Sequence, residues 1–131
     1  MPGRIEWDND EKTILLTIYE GNMVLEEYYR VTDETFEAIS PLPHTVHTIM
    51  LRQNVKTVPA TMSKVLQYAN KKTTPNLGIS VIVGATAMTK MIVKLAKVIA
   101  PRLSKDVYFA NSLEEARQLI ADKTGEQAKS S

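Results

Sequence analysis

Gly78-Ile-Ser-Val-Ile-Val-Gly84 and Asp106-Val-Tyr-Phe-Ala110 are short β-branched or aromatic runs, and each leads directly into a segment of helical pattern. The first has the near-continuous apolar character of a strand covered on both faces. Beyond it, residues 86–100 set Met88, Met91, Ile92, Leu95 and Ile99 at helical spacing, which predicts a helix that buries these five side chains and stops at Pro101. After the second run, Ser112-Leu-Glu-Glu115 has the form of a helix start, Ser followed three residues later by Glu. Two strand–helix units in succession predict parallel strands joined by right-handed crossovers.

Working back toward the amino terminus, Arg4 to Trp7 and Thr13 to Tyr19 read as two strands separated by the turn residues Asp8-Asn9-Asp10, hence a hairpin. Gly21-Asn22 ends the second strand. Leu25, Tyr28, Tyr29, Phe36 and Ile39 then recur at helical spacing, and Pro41 and Pro43 end that helix. Thr45 to Leu51 is the next strand; Arg52 to Val58 is a polar loop, and Pro59 suits the first turn of a second helix with the stripe Met62, Val65, Leu66, Ala69. The predicted order is β, β, α, β, α, β, α, β, α. This is an α/β fold with a mainly parallel sheet, an amino-terminal antiparallel hairpin strand and about four covering helices. One domain over residues 1–122 and a polar tail over 123–131 are expected.

Composition narrows the function classes. With 131 residues the chain buries enough surface to fold without staples, and it has no Cys, so disulfides and thiolate metal sites are excluded and a reducing compartment is the default. Sixteen Lys and Arg against fifteen Asp and Glu give a net charge of +1, so no global field points to nucleic acid or to an anionic membrane as the main partner. The amino-terminal residues lack a signal-peptide core and no apolar run is long enough to span a bilayer, so a cytoplasmic location without stable membrane insertion is expected.

The element order and several local sequences resemble the STAS-like domain, the fold of bacterial anti-sigma-factor antagonists and of the cytoplasmic regulatory domain of sulfate transporters. The residues concerned are Gly21-Asn22 with Leu25-Glu-Glu-Tyr-Tyr29, Pro59 opening the second helix, Asn76-Leu-Gly-Ile-Ser-Val-Ile-Val-Gly84, and Val107-Tyr-Phe-Ala-Asn-Ser-Leu-Glu-Glu-Ala116. The resemblance covers about Ile5 to Asp122. It implies a non-catalytic regulatory or protein-interaction module with a protein partner and a capacity for self-association. In the antagonist branch the third-strand to second-helix loop is an Asp-Ser-Ser/Thr-Gly phosphoacceptor turn; here the junction is Arg52-Gln-Asn-Val-Lys-Thr-Val-Pro59, without Ser, Gly or acid. The chain is therefore similar to phosphoacceptor-poor relatives of the fold.

Four groups of residues invite a functional reading. Thr57 and Thr61 are the hydroxyls nearest the phosphoacceptor position, and each is equally suited to helix capping and loop solvation. Gly84, Ala85 and Thr86 lie between a strand end and a helix start, where open parallel sheets bind ligands, yet no glycine-rich phosphate signature accompanies them. Lys90, Lys94 and Lys97 share one helix face opposite Met88, Met91 and Leu95, a docking stripe for an acidic protein or for anionic headgroups, or a solvated face. No aromatic residues interleave with them, which argues against a nucleic-acid platform. His44 and His47, three apart in an extended segment, point to opposite faces and read as surface or strand-end histidines rather than metal ligands. No carboxylate pair or nucleophile elbow supports catalysis, and no cofactor is implied.

Overall fold

The computed structural model describes residues 3–53 and 59–125. Strand β1 (Gly3–Trp7) pairs antiparallel with β2 (Ile14–Glu20), and β3 (Val46–Gln53), β4 (Leu77–Val83) and β5 (Val107–Ala110) follow in parallel, in the spatial order β1-β2-β3-β4-β5. Because each crossover steps one strand further the same way, α1 (Leu25–Ile39), α2 (Pro59–Lys72) and α3 (Ala87–Ile99) come to one side of the sheet. The last helix, α4 (Leu113–Thr124), returns across the other side. This is the α/β architecture expected from the alternation of elements.

The period-2 geometry of the strands divides the core in two. On the α4 side, Ile14, Leu16, Ile18, Ile49, Ile79 and Val81 pack with Ala116 and Ile120. On the other, Tyr19 packs with Tyr28, Val31 and Val65, and Leu15 with Ile39 and Val46. β2 is thus buried on both faces, which explains its almost unbroken apolar sequence.

Helix ends follow local chemistry. Ser112 caps α4, its Oγ accepting the Glu115 N–H at 3.1 Å. Gly125, at φ 75°, ends it through the Gly125 N–H to Ala121 C=O bond, the usual left-handed helix stop. The helix therefore runs through Lys123 and Thr124, two residues that the sequence pattern assigned to a polar tail. A 3-10 turn at Leu103–Asp106, not foreseen, precedes β5; Asn70 Oδ1 accepts the N–H groups of Arg102 (2.8 Å) and Leu103 (3.0 Å) at its start. The Asn76 side chain, in turn, donates to the carbonyls of Ile39 (2.8 Å), Leu42 (3.3 Å) and His44 (3.1 Å), holding the chain that leaves α1.

His47 is a strand-end histidine, the second residue of β3, but it is buried rather than on the surface, and the reason is a bulge. Val46 pairs with Leu77 but Thr48 with Ser80, so β4 spends one extra residue where β3 spends none. The Ile79 N–H, displaced from the ladder, donates instead to His47 Nδ1 at 2.9 Å. The imidazole is a substitute backbone acceptor. His44, half-buried, approaches the Lys12 carbonyl through Nε2 at 2.9 Å.

The sharpest departure from expectation is the face that α3 buries. Ile92, Val93, Ala96 and Ala100 are buried, whereas Met91 is 62%, Leu95 60% and Val98 82% exposed, and Ile99 lies at the margin at 36%. The side chain of Met88 lies outside the described residues. α3 packs against α2 and the 3-10 turn, and small residues permit that close approach. Ala96 and Ala100 are fully buried, so Met91, Leu95 and Ile99 are turned outward.

Candidate functional site

At about 100° per residue, α3 carries three separate stripes. Ile92, Val93, Ala96 and Ala100 span an arc of about 100° toward the protein; Met91, Leu95 and Val98, at i, i+4 and i+7, form a narrower apolar ridge facing solvent. Lys90, Lys94 and Lys97 lie one residue back along the chain from each, so the basic stripe borders the ridge, and all three are exposed. The sequence placed these lysines together correctly. It placed Met91 and Leu95 in the core, and the structure places both, together with Val98, on the surface.

Among the described residues none of the three lysines forms an ion pair; Lys90 Nζ stands 5.7 Å from the Phe109 ring centroid, on the β5 side of the helix. The other basic groups are mostly engaged. Arg30 binds Glu27 (2.8 Å) and Glu34 (2.7 Å) and donates to the Gly3 carbonyl, and the guanidinium holds the Glu27 carboxyl below its ordinary range. Arg117 grips the largely buried Asp8 carboxylate, tying α4 to the end of the first hairpin strand. The α3 stripe therefore concentrates charge uncommitted within the described part of the fold.

The strand–helix turn at Gly84, Ala85 and Thr86 forms as expected. Gly84 adopts φ +76°, and its N–H donates to the Ala110 carbonyl at 3.3 Å; the Thr86 carbonyl accepts the Lys90 N–H at 3.0 Å at the entrance to α3. Positive φ is the reason for glycine there. Thr61 is the third residue of α2 and half-buried. Thr57 lies outside the described residues.

A cavity of about 110 Å3 lies between the sheet and the three helices above it, and no residue pattern in the chain signals it. Its floor includes Thr17, Tyr19, Thr48 and Ser80; Thr32, Thr35 and Phe36 of α1, Val65 of α2, and Val93 and Ala96 of α3 line its walls. The hydroxyls on this wall are committed. Thr32 donates to the Tyr28 carbonyl, Thr35 to the Val31 carbonyl and Thr48 to Ser80 Oγ. The chamber thus offers mainly methyl and methylene surface. Tyr19 borders it with a phenol that burial, above all, pushes well above the ordinary tyrosine range; nearby Tyr28 adds to this, while Arg52 and a hydrogen bond with Thr17 act the other way. Residues 84–86 do not line the cavity, so a ligand at the turn and a ligand in the chamber are different sites.

Among the described residues no group of three His, Asp or Glu side chains is placed to hold a metal ion. No helix of the described residues is long and apolar enough to cross a membrane. No family model, curated protein or solved structure matches the chain.

Proposed function

We propose that this chain is a non-catalytic regulatory or interaction module of STAS-like type, cytoplasmic, whose docking face is the outer side of α3. The observation that carries the reading is the pairing of exposed Lys90, Lys94 and Lys97 with the exposed apolar ridge of Met91, Leu95 and Val98. Large aliphatic side chains turned to water on one helix, bordered by cations that form no ion pair among the described residues, suit a docking surface better than a solvated helix face. The junction after β3 supports regulation by association rather than by phosphorylation, since it has no Ser, Gly or acid between Arg52 and Pro59.

The test is a charge reversal. Exposed substitutions away from caps and cores usually change stability by less than about 0.5 kcal/mol each, so Lys90→Glu, Lys94→Glu and Lys97→Glu together should leave circular dichroism and the melting midpoint unchanged. Partner recovery from native lysate should fall, more at low salt than at physiological salt. Equal recovery at both salts removes α3 as the docking face.

A second reading, a small-ligand or lipid-binding domain, is supported by the cavity rather than by the Gly84–Thr86 turn. An apolar chamber of comparable size, about 150 Å3, stays dry and takes up benzene. A benzene-dependent rise in melting temperature supports this reading, and no rise at saturation opposes it.

A further inference from the structure

The charge of this chain is segregated in a way that its net value hides. Between residues 38 and 105 there is no Asp or Glu, while ten Lys and Arg fall in that span; all fifteen acidic residues lie before it or after it. The span contains α2 and α3, which pack against each other on the same side of the sheet. On the same side α1 carries Glu26, Glu27, Asp33, Glu34 and Glu37, so a nearly neutral protein holds a cationic patch over α2 and α3 beside an acidic α1. The exposed apolar ridge of α3 lies within that patch.

We infer that the outer face of α3 binds an anionic lipid bilayer surface, lying along the headgroup layer with Met91, Leu95 and Val98 entering the acyl boundary and Lys90, Lys94 and Lys97 reaching the headgroup phosphates and carboxylates. This rests on the reading of α3 as a docking face and names its partner. An in-plane helix needs an apolar stripe, a basic flank and no acidic residue on the contacting side, and α3 has all three. Lysine stems cover apolar surface while the ammonium stays in the polar layer, so the two stripes act at different depths of the same interface.

The dimensions favour a bilayer over a second copy of the chain or a folded partner. Thirteen residues of helix are about 20 Å long, and a ridge about 10 Å wide presents on the order of 200 Å2, well short of the roughly 800 Å2 per partner of a stable interface. The ridge is convex and aliphatic, without the Trp, Tyr or Arg anchors on which protein interfaces concentrate their binding energy. Nor does it carry the stacking residues of a nucleic-acid platform. A bilayer requires neither a large flat area nor a pocket, only depth for a few side chains and negative charge beside them.

The experiment is flotation of the purified full chain with vesicles of phosphatidylcholine alone and of phosphatidylcholine with phosphatidylserine, at low and physiological salt. Binding should require phosphatidylserine and weaken with salt. Two variant sets, each checked by circular dichroism, separate the stripes. Lys90→Gln, Lys94→Gln and Lys97→Gln together should weaken partitioning about a hundredfold, at roughly fivefold per lysine; Met91→Ser, Leu95→Ser and Val98→Ser together should abolish binding at physiological salt. No binding to phosphatidylserine vesicles at low salt, or binding insensitive to both sets, overturns the proposal. So does a concentration-dependent dimer in analytical ultracentrifugation that the serine set converts to monomer, or retention of RNA through the same lysines. Vesicle failure with lysine-dependent capture of a protein leaves the docking reading standing without the lipid; failure of both removes both.

Discussion

The His47–Gly78 contact gives the most stringent test of how this fold is held. A Cβ added at Gly78 falls inside van der Waals contact of His47 Nδ1 and 2.7 Å from both His47 Cε1 and Thr45 Cγ2. Two of those three atoms belong to one buried ring, and Nδ1 is also the acceptor of the Ile79 N–H. Gly78→Ala therefore does two things together. Overpacking costs about 1–3 kcal/mol, and displacing the imidazole leaves a buried N–H unsatisfied at about 1–3 kcal/mol more. The expected loss is about 4 kcal/mol, a large share of the stability of a domain of this size. Urea unfolding followed by circular dichroism measures it, provided the slope with denaturant is unchanged. His47→Ala should itself cost about 2–4 kcal/mol, from the orphaned N–H and the space left by the ring. The double variant decides the cause: with the ring gone, two of the three atoms nearest the added methyl are removed and the Thr45 methyl remains, so the two losses should fall short of additivity by about 2 kcal/mol or more. A Gly78→Ala loss below about 0.5 kcal/mol, or strict additivity, would refute the account of the bulge.

Two further outcomes can be measured on the same protein. Ser112→Ala should destabilise it by about 1 kcal/mol in urea unfolding, because the Ser112 Oγ satisfies a first-turn N–H of α4 that water would otherwise have to reach. The Tyr19 phenol is pushed up by burial, so the folded state keeps its proton after the unfolded chain has lost it; the stability this contributes is complete below the unfolded tyrosine value near 10 and declines as pH rises beyond it. The decline approaches about 1.4 kcal/mol per pH unit for one proton, and should be smaller in Tyr19→Phe when urea midpoints at alkaline pH are compared.

The class of fold was legible because its signals are local. Alternation of apolar β-branched runs with helical spacing needs only the chain itself, and so do the stops at Pro41 and Pro101, the start at Pro59 and the cap at Ser112. The order of strands and helices after the hairpin follows from steric and solvation rules that act over a few residues, and the right-handedness of crossovers then leaves little choice of sheet. The bulge is different. In the sequence Gly78 is no more than the first residue of an apolar run, because nothing in its neighbourhood says that residue 47, a strand away, brings an imidazole to the place its side chain would fill.

Most of the candidate site belongs to that second kind of information. The grouping of Lys90, Lys94 and Lys97 on one face is a property of helical periodicity and was visible in the sequence. Which neighbouring face of α3 meets the protein was not, because the helix has more apolar surface than one contact covers and periodicity does not rank one apolar arc above another. Packing against α2 ranked them: a close approach favours Ala96 and Ala100 over Met91 and Leu95. The cavity has the same origin, since a space left between the sheet and α1, α2 and α3 is a remainder of how these elements fit and is encoded at no single position. The order of the elements and the lysine stripe could be read from the chain alone, whereas the outward position of Met91, Leu95 and Val98 came from packing, because the choice among apolar faces is made by the shape of the neighbour.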